Sequence, residues 1–544
     1  MRKTVMFEKA HQAQMCYENL MQQTGIYPKV KVIFHVNTKQ KKQFEAAAFS
    51  HNPFLGTYKL QLFSKRKKAL KRLFASEKVL QTGPLAAVLA LDAALAQEIG
   101  DLRNGSVAVD PIICDVGLAG LQAIRPYMTS YEGKLAFAKA RHRSALQSEH
   151  ALNGASYKYK TGDDRYFSVH VYSLVQKWRM LELLNLQKDP QKLTLSSLRR
   201  DKKQIRKAIA GWTAPELEEA SFENGLCSCM VRSRNEWENS EVGKAVGAMP
   251  MYRLRKAGAA PIRRFGNADM KKGPLSGIKV LDLTHMIAGP ACTRLLAEQG
   301  ADVLMVRRGK FAEQEQSMAE LDGWAGKSSI QLDFNDSFQL NRTRQLVKEA
   351  DIIISSYQDG ALDRFGLGEE DIHQLNPHAI YGSVICFSDS VWKQRPGYSS
   401  CAEDMTGLSC RNGKADKPFG LNGSPLDYIS GMILFGGILK ALKMQMTEGG
   451  AYSVTVSLTR CAMWLHECTD LWETSSEDAD RDRNYNSEIQ TDLNIPDWRR
   501  IFHRVPWTSV GKVYFLSAAV WSRNQSYYYR NMRFLDGCDG FPEK

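Results

Sequence analysis

Gly277-Ile278-Lys279-Val280-Leu281-Asp282-Leu283-Thr284-His285, followed by Ala288-Gly289-Pro290-Ala291-Cys292-Thr293-Arg294 and Gly300-Ala301-Asp302-Val303, is the stretch that decides the fold class. Residues 278–283 form a short apolar run that reads as a buried strand. Gly289-Pro290 opens a helix reaching about residue 298, and the Gly300 turn leads into a second strand over 303–306. The same alternation continues outward, with a helix over 338–349 feeding a strand over 351–355 and a further strand over 379–386. Strand and helix at this spacing predict crossover units and a mainly parallel sheet covered on both faces. In such an open sheet ligands sit beyond the carboxyl ends of the strands, so the loops after Leu283, Val306 and Ser355 are the first candidates for a site.

Downstream, residues 428–446 read as a long apolar helix, Gly449-Gly450 as a break and 452–458 as a strand with alternating Val454 and Val456. A similar unit lies far upstream: a helix over 85–99 ending at Gly100, then a short strand over 106–109 after Asn104-Gly105. Superposing Leu95 on Leu442 also places Ala94 on Ala441, Val107 on Val454 and Val109 on Val456, which points to a duplicated supersecondary unit. Between the two, 166–172 alternates as a strand, 194–212 patterns as a basic amphipathic helix, and Thr213-Ala214-Pro215-Glu216 is a helix start. Residues 250–273, rich in Arg, Lys, Gly and Pro, read as a linker. Residues 1–80 show no convincing period.

At 544 residues the chain exceeds what one hydrophobic core usually serves. A hydrophobic fraction of 43% with 24% charged residues places it among globular rather than disordered chains. No run of residues approaches the roughly 18 consecutive apolar positions of a membrane-spanning helix, so no membrane partner is expected. The net charge of +14 suits an acidic or polyphosphorylated ligand, but it lies mostly in local runs such as Lys65 to Lys68, and no nucleic-acid module accompanies it. Eleven cysteines show no metal-ligand spacing, Cys227 and Cys229 being too close for a zinc knuckle, so no metal is expected and a reducing compartment is. The N-terminus carries no secretory pattern and the C-terminus no peroxisomal one. An intracellular, cytoplasmic location is the expectation, with mitochondrion or peroxisome open.

The opening stretch, together with Gly326-Lys327-Ser328-Ser329-Ile330-Gln331-Leu332-Asp333, Gly360-Ala361-Leu362-Asp363-Arg364-Phe365-Gly366-Leu367, Leu375-Asn376-Pro377 and Pro425-Leu426-Asp427-Tyr428-Ile429-Ser430-Gly431, resembles the family III coenzyme A-transferases. That family includes formyl-CoA:oxalate CoA-transferase, carnitine CoA-transferase and alpha-methylacyl-CoA racemase. The resemblance implies an open, mainly parallel α/β sheet, a Rossmann-like CoA lobe, with a smaller α+β lobe. It implies coenzyme A or an acyl-CoA as the bound substrate and a carboxylic acid as the second small molecule. By the same resemblance Asp427 is the nucleophile, Ile287 and Ala288 touch the cofactor from the first loop, Arg308 and Arg364 meet its phosphates or adenine, and Lys327 stands near it. An arginine fork matches phosphate oxygens, which is the physical reason to look at Arg308 and Arg364.

Taken alone, Asp427 before a long apolar helix is an N-cap, and each of these basic residues is a solvated charge. A carboxylate at a helix N-terminus can serve as cap and nucleophile together. Tyr398 matches the family tyrosine that positions the acyl group, and Ser399 stands where formyl-CoA transferase has a glutamate. The racemase has a histidine near this place; a neutral tyrosine is a poor base near pH 7, which disfavours two-base racemisation. Glu403 and Asp404 read as a salt-bridged helix face.

Residues 84–262 resemble the family's second half, through Asp163-Asp164-Arg165-Tyr166-Phe167-Ser168-Val169, Ile209-Ala210-Gly211-Trp212 and Gly225-Leu226-Cys227. The expected division is an uninterpreted basic segment 1–83, this degenerate half over 84–262, a linker 263–272, the catalytic lobe 273–470 and an uninterpreted segment 471–544. Family III enzymes are interlocked dimers, so a homodimer or an internal pseudo-dimer is expected, with 84–262 in the partner's role. Three activities follow: CoA transfer between carboxylic acids, an alpha-methylacyl-CoA racemase-like isomerisation, or an inactive CoA-binding scaffold.

Overall fold

The computed structural model describes residues 2–36, 81–107, 110–125, 130–132, 157–172, 174–186, 195–308, 322–387, 392–410, 415, 418, 421, 423–476, 489–491, 502–505, 512–522, 525–526 and 533–535. Its main sheet has eight strands, and six of them are labelled in chain order: β1 (Lys279–Leu283), β2 (Asp302–Arg308), β3 (Ser328–Leu332), β4 (Ile352–Ser355), β5 (Ile380–Ile385) and β6 (Ala451–Ser457). They lie side by side as β3-β2-β1-β4-β5-β6, all parallel. Val280 of β1 is flanked by Val303 and Ile352, so a row of β-branched side chains packs across the centre. This is the doubly wound order, whose chain direction across the sheet reverses between β1 and β4 and leaves a crevice at their carboxyl ends. The α/β reading, with a parallel sheet, therefore holds.

Arg533–Leu535 adds a parallel strand beside β3, and Arg253–Gly258 adds an antiparallel one beside β6. The latter corrects the linker reading of 250–273. Its charged residues belong to an exposed sheet edge, where unpaired backbone groups are guarded by charge rather than by apolar side chains. Residues 489–491 and 520–522 pair into a second sheet with Val32–Val36 and Ile112–Asp115, so the two chain ends are interleaved. A third unit, Tyr157–Lys160, Tyr166–Val169 and Cys229–Met230, forms a small antiparallel sheet with its own core around Tyr159, Phe167 and Leu217.

The helix Pro425–Thr447 crosses over to β6 and therefore runs against the parallel strands, which puts its N-terminus at their carboxyl edge. By length and composition it would pass as a membrane span, contrary to the sequence expectation, yet 89% of that apolar window is buried in the protein. It is apolar all round because it packs on both sides. One side meets the helix Ala288–Glu298, where a Cβ on Gly431 would stand 2.3 Å from the Ala288 carbonyl oxygen. The other meets the upstream helix Thr82–Asn104, where a Cβ on Gly436 would stand 2.4 Å from an Asp92 carboxylate oxygen. Glycine costs a helix about 1 kcal/mol at each interior position, and these two close approaches explain why it is tolerated.

The upstream helix ends at Asn104 on a left-handed Gly105, and the strand that follows is Ile112–Asp115 rather than 106–109. The proposed superposition of Val107 and Val109 on Val454 and Val456 thus does not match the strands: residue 107 is coil, and 109 lies outside the described residues. A buried ion pair binds the upstream segment to the lobe of the main sheet. Arg125 donates to Asp322 at 2.9 Å, and Asp322 also accepts from the Tyr428 hydroxyl at 3.2 Å, beside Asp427. Removing one partner of such a pair strands the other charge in the core. Arg125→Met is expected to destabilise the chain by about 3 kcal/mol, read as a lowered urea midpoint; an unchanged midpoint would show that the two segments are not energetically joined here.

Candidate active site

The loops after β1 and β4 meet at the switch point. Ser356 bridges them: its hydroxyl accepts from the His285 backbone N–H at 2.9 Å and donates to the His285 carbonyl at 3.0 Å. The His285 ring stacks on Tyr357 with centroids 4.4 Å apart. Met286 takes a left-handed backbone with φ of 64°, a turn that brings Ile287 and Ala288 to the head of the next helix. Ile287 is half-buried and Ala288 buried, the latter against Gly431 of the Asp427 helix. The first loop and the Asp427 helix are therefore in direct contact, at Ala288 and Gly431.

Lys327 behaves differently from its sequence reading. It is buried, and its ammonium donates to Asp282 at 2.7 Å, Thr293 at 2.6 Å and the Pro290 carbonyl at 3.2 Å. All three N–H bonds are used inside the lobe, so Lys327 braces the helix carrying Ala288 instead of offering a donor to a ligand. Arg364 is exposed in the turn after β4, its guanidinium 4.6 Å from the centroid of Phe365. Arg308 ends β2, and its side chain lies outside those described.

Asp427 is the third residue of its helix, not its cap. Ser424 precedes the helix and Pro425 opens it, the ring's fixed φ suiting the first helical position. The carboxylate is half-buried and accepts from the Ser399 hydroxyl at 2.6 Å. Burial pushes Asp427 up to about 6, and the Ser399 bond opposes that rise. At pH 7 the carboxylate is thus mostly ionised but poorly solvated, which raises its nucleophilicity over a carboxylate in water.

Tyr398, one residue before Ser399, accepts from the Gln176 amide at 2.8 Å and meets Tyr172 edge to face at 4.9 Å. Burial and the neighbouring Cys227 push its pKa well above the ordinary tyrosine value, so it is a neutral hydroxyl across the working pH range. Glu403 and Asp404 are buried; the salt bridge read for this pair exists at Asp404, but its cation comes from another unit and not from a helix face. Burial pushes Glu403 up to about 7 against the pull of Lys158, with Asp427 adding to the rise. Asp404 pairs with Lys158. Gln176, Tyr172 and Lys158 all come from the upstream segment.

Residues 275–494 match the model of CoA-transferase family III. These residues are a family III CoA-transferase region. The acetyl-coenzyme A transferase of Hypoxylon pulicicidum is 28% identical over 371 residues, covering 64% of this chain and 61% of that protein. Formyl-CoA:oxalate CoA-transferase of Escherichia coli O81 is 32% identical over 197 residues, 34% of this chain and 47% of the enzyme. The chain thus spans at most 61% of the length of these relatives. Among solved structures, a CAIB/BAIF family protein from Brucella suis is 24% identical, covers 45% of this chain and 66% of its own, and has a TM-score of 0.34.

Within the family III region, the partners of Asp427 and Tyr398 were the unread part of the site. Ser399 was visible as a departure from the family, but its contact with Asp427 spans 28 positions and has no local signal. His170, Cys229 and Cys401 bring ligand-type atoms within 4.8 Å of one another, a set able to hold a metal. Lys158, whose ammonium feels Cys229 and Cys401, already supplies a positive charge there.

The Asp427 shift has a sign for stability. A carboxyl held above its unfolded value of 3.8 favours the protonated fold, so the contribution is full below about 4 and is lost as pH rises through about 6. Asp427→Asn is therefore expected to stabilise the chain at pH 7.5 by on the order of 1 kcal/mol, read as a raised thermal midpoint, and to give no gain at pH 4. A loss of stability at pH 7.5 would contradict a desolvated carboxylate.

Proposed function

We propose that the chain transfers coenzyme A between carboxylic acids, with Asp427 as the nucleophile. The observation that carries this reading is a partly desolvated, ionised carboxylate in the first turn of a helix that packs on the switch-point loop through Gly431 and Ala288. The names of the relatives, acetyl-coenzyme A transferase and formyl-CoA:oxalate CoA-transferase, support the same class of reaction.

In the proposed cycle an Asp427 oxygen attacks the thioester carbonyl, the C–S bond breaks, and CoA leaves as a thiolate, producing a mixed anhydride. The thiolate attacks the Asp427 carbonyl carbon and expels the donor carboxylate, leaving an aspartyl-CoA thioester. The acceptor carboxylate attacks that thioester, and the released thiolate then takes the new acyl group and frees Asp427. Every proton count is unchanged, so the cycle needs no general base. A neutral Tyr398 suits a hydrogen-bond donor to the acyl group. Its raised pKa speaks against a role as the second base of a racemase, because a phenol held above its ordinary value near 10 is even more rarely the phenolate that could accept a proton at pH 7. Residues 84–262 take the place of a partner subunit in this reading, since Gln176 and Lys158 meet Tyr398 and Asp404 within one chain. Ile287 and Ala288 line the CoA path, and Arg364 and Arg308 are the candidate phosphate contacts.

The full chain incubated with acetyl-CoA or formyl-CoA and quenched with hydroxylamine is expected to carry a hydroxamate at Asp427, found by peptide mass spectrometry, and D427A to carry none. CoA exchange that proceeds in D427A, or hydroxamate at another residue, would overturn the assignment.

A further inference from the structure

A chain of hydrogen bonds crosses from the small antiparallel unit into the helix Ser399–Met405 and takes no part in the steps above. The Tyr172 hydroxyl lies 3.3 Å from Ser400 Oγ, Ser400 Oγ lies 3.2 Å from His170 Nδ1, and His170 Nε2 lies 3.3 Å from Asp404 Oδ2. Lys158 closes the chain on the other Asp404 oxygen. His170, Tyr172 and Lys158 belong to the upstream segment, whereas Ser400 and Asp404 follow Ser399 in the helix that it begins.

The order of these groups fixes the direction of every proton. Asp404 faces the Lys158 ammonium and is therefore an acceptor only, so His170 carries its hydrogen on Nε2. Its Nδ1 lone pair then accepts from the Ser400 hydroxyl, which leaves the Ser400 oxygen to accept from Tyr172. A serine, a histidine and an aspartate in a row also resemble the parts of a hydrolase. The environment of His170 argues against that chemistry. Burial and Lys158 depress it to about 3, so it holds a proton too weakly to serve as general base near neutral pH.

We propose that Tyr172, Ser400, His170, Asp404 and Lys158 form a positioning relay, through which the upstream segment fixes the head of the helix Ser399–Met405 so that Ser399 keeps its hydroxyl on Asp427. The inference goes beyond CoA transfer and rests on that reading only in giving Asp427 the reactive role. Side-chain bonds at Ser400 and Asp404 tie this short helix to the upstream unit, beside those of the Cys401 thiol to the Cys227 carbonyl at 2.7 Å and of the Arg232 N–H to the Asp404 carbonyl at 3.0 Å, and Ser399 sits one residue from Ser400. A rotation of that helix which broke the Ser400–His170 contact would carry Ser399 off Asp427.

The test reads the protonation of Asp427 directly and needs no CoA compound. Carbodiimide labels a protonated carboxyl, so its labelling rate at Asp427, followed against pH by peptide mass spectrometry, has a midpoint that in the wild type is expected near 6. Asp427 is faced by Glu403, Tyr172 and Cys386, and His170 by Lys158 and Asp404; all remain in the variants. Ser399→Ala removes the hydroxyl itself and is expected to raise the midpoint by roughly half to one unit. His170→Phe should raise it equally, and His170→Gln, which keeps a donor and an acceptor, should restore it toward the wild type. Ser400→Ala provides the same break with minimal change in volume, should His170→Phe fail to fold. A midpoint unmoved in His170→Phe and Ser400→Ala while Ser399→Ala moves it would overturn the relay. So would a midpoint unmoved by Ser399→Ala, or a fluorophosphonate adduct on Ser400, which would reveal a hydrolytic serine instead. If CoA transfer itself proved wrong, these titrations would be unaffected, so the two failures are distinguishable.

Discussion

The structure depends on holding one carboxylate out of water at the mouth of an open sheet. Asp427 lies in the first turn of a helix that cannot move independently, because Gly431 brings it against the Ala288 carbonyl and Gly436 brings it against Asp92. Tyr428, the next residue, is anchored to Asp322, and Asp322 to Arg125. The helix is thus fixed from three directions, and the remaining freedom of the carboxylate is taken by Ser399. Desolvation raises the energy of the charged form, which is the physical source of both the reactivity proposed for it and its cost to the fold.

The upstream segment makes sense in these terms. Its helix Thr82–Asn104 covers the face of the Asp427 helix that the parallel sheet leaves open, and its small antiparallel unit supplies Gln176, Tyr172, His170 and Lys158 around the turn 398–404. A site made at the meeting of two units needs both, and here one chain contains them. The price is an interleaved topology, in which strands near both ends of the chain pair with strands far away in sequence.

Much of the main-sheet lobe was readable in the sequence because its strands are short runs of Val, Ile and Leu between helices, and that pattern has few other stable outcomes. The identity of Asp427 and Tyr398 as the residues to watch came from resemblance, while their environment did not. Asp427 was displaced from the cap position by Ser424 and Pro425, a competition that local signals underdetermine. Lys327 looked like a ligand contact, but its partner Asp282 lies 45 positions away and only the folded sheet shows that the two pair in the core. The strand Arg253–Gly258 was hidden by its charges, since an edge strand is selected against looking apolar. Glu403 and Asp404 patterned as surface because their cation, Lys158, belongs to a different unit.

The central claim is geometric: the reacting end of a bound acyl-CoA must lie beside Asp427, with pantetheine descending from the crevice between the β1 and β4 loops. A crystal structure of the full chain with a non-hydrolysable acyl-CoA analogue measures this directly. The account predicts the carbonyl carbon within about 3.5 Å of an Asp427 oxygen, the separation at which attack can begin. An analogue seated elsewhere, or its acyl end turned away from that carboxylate, would contradict it.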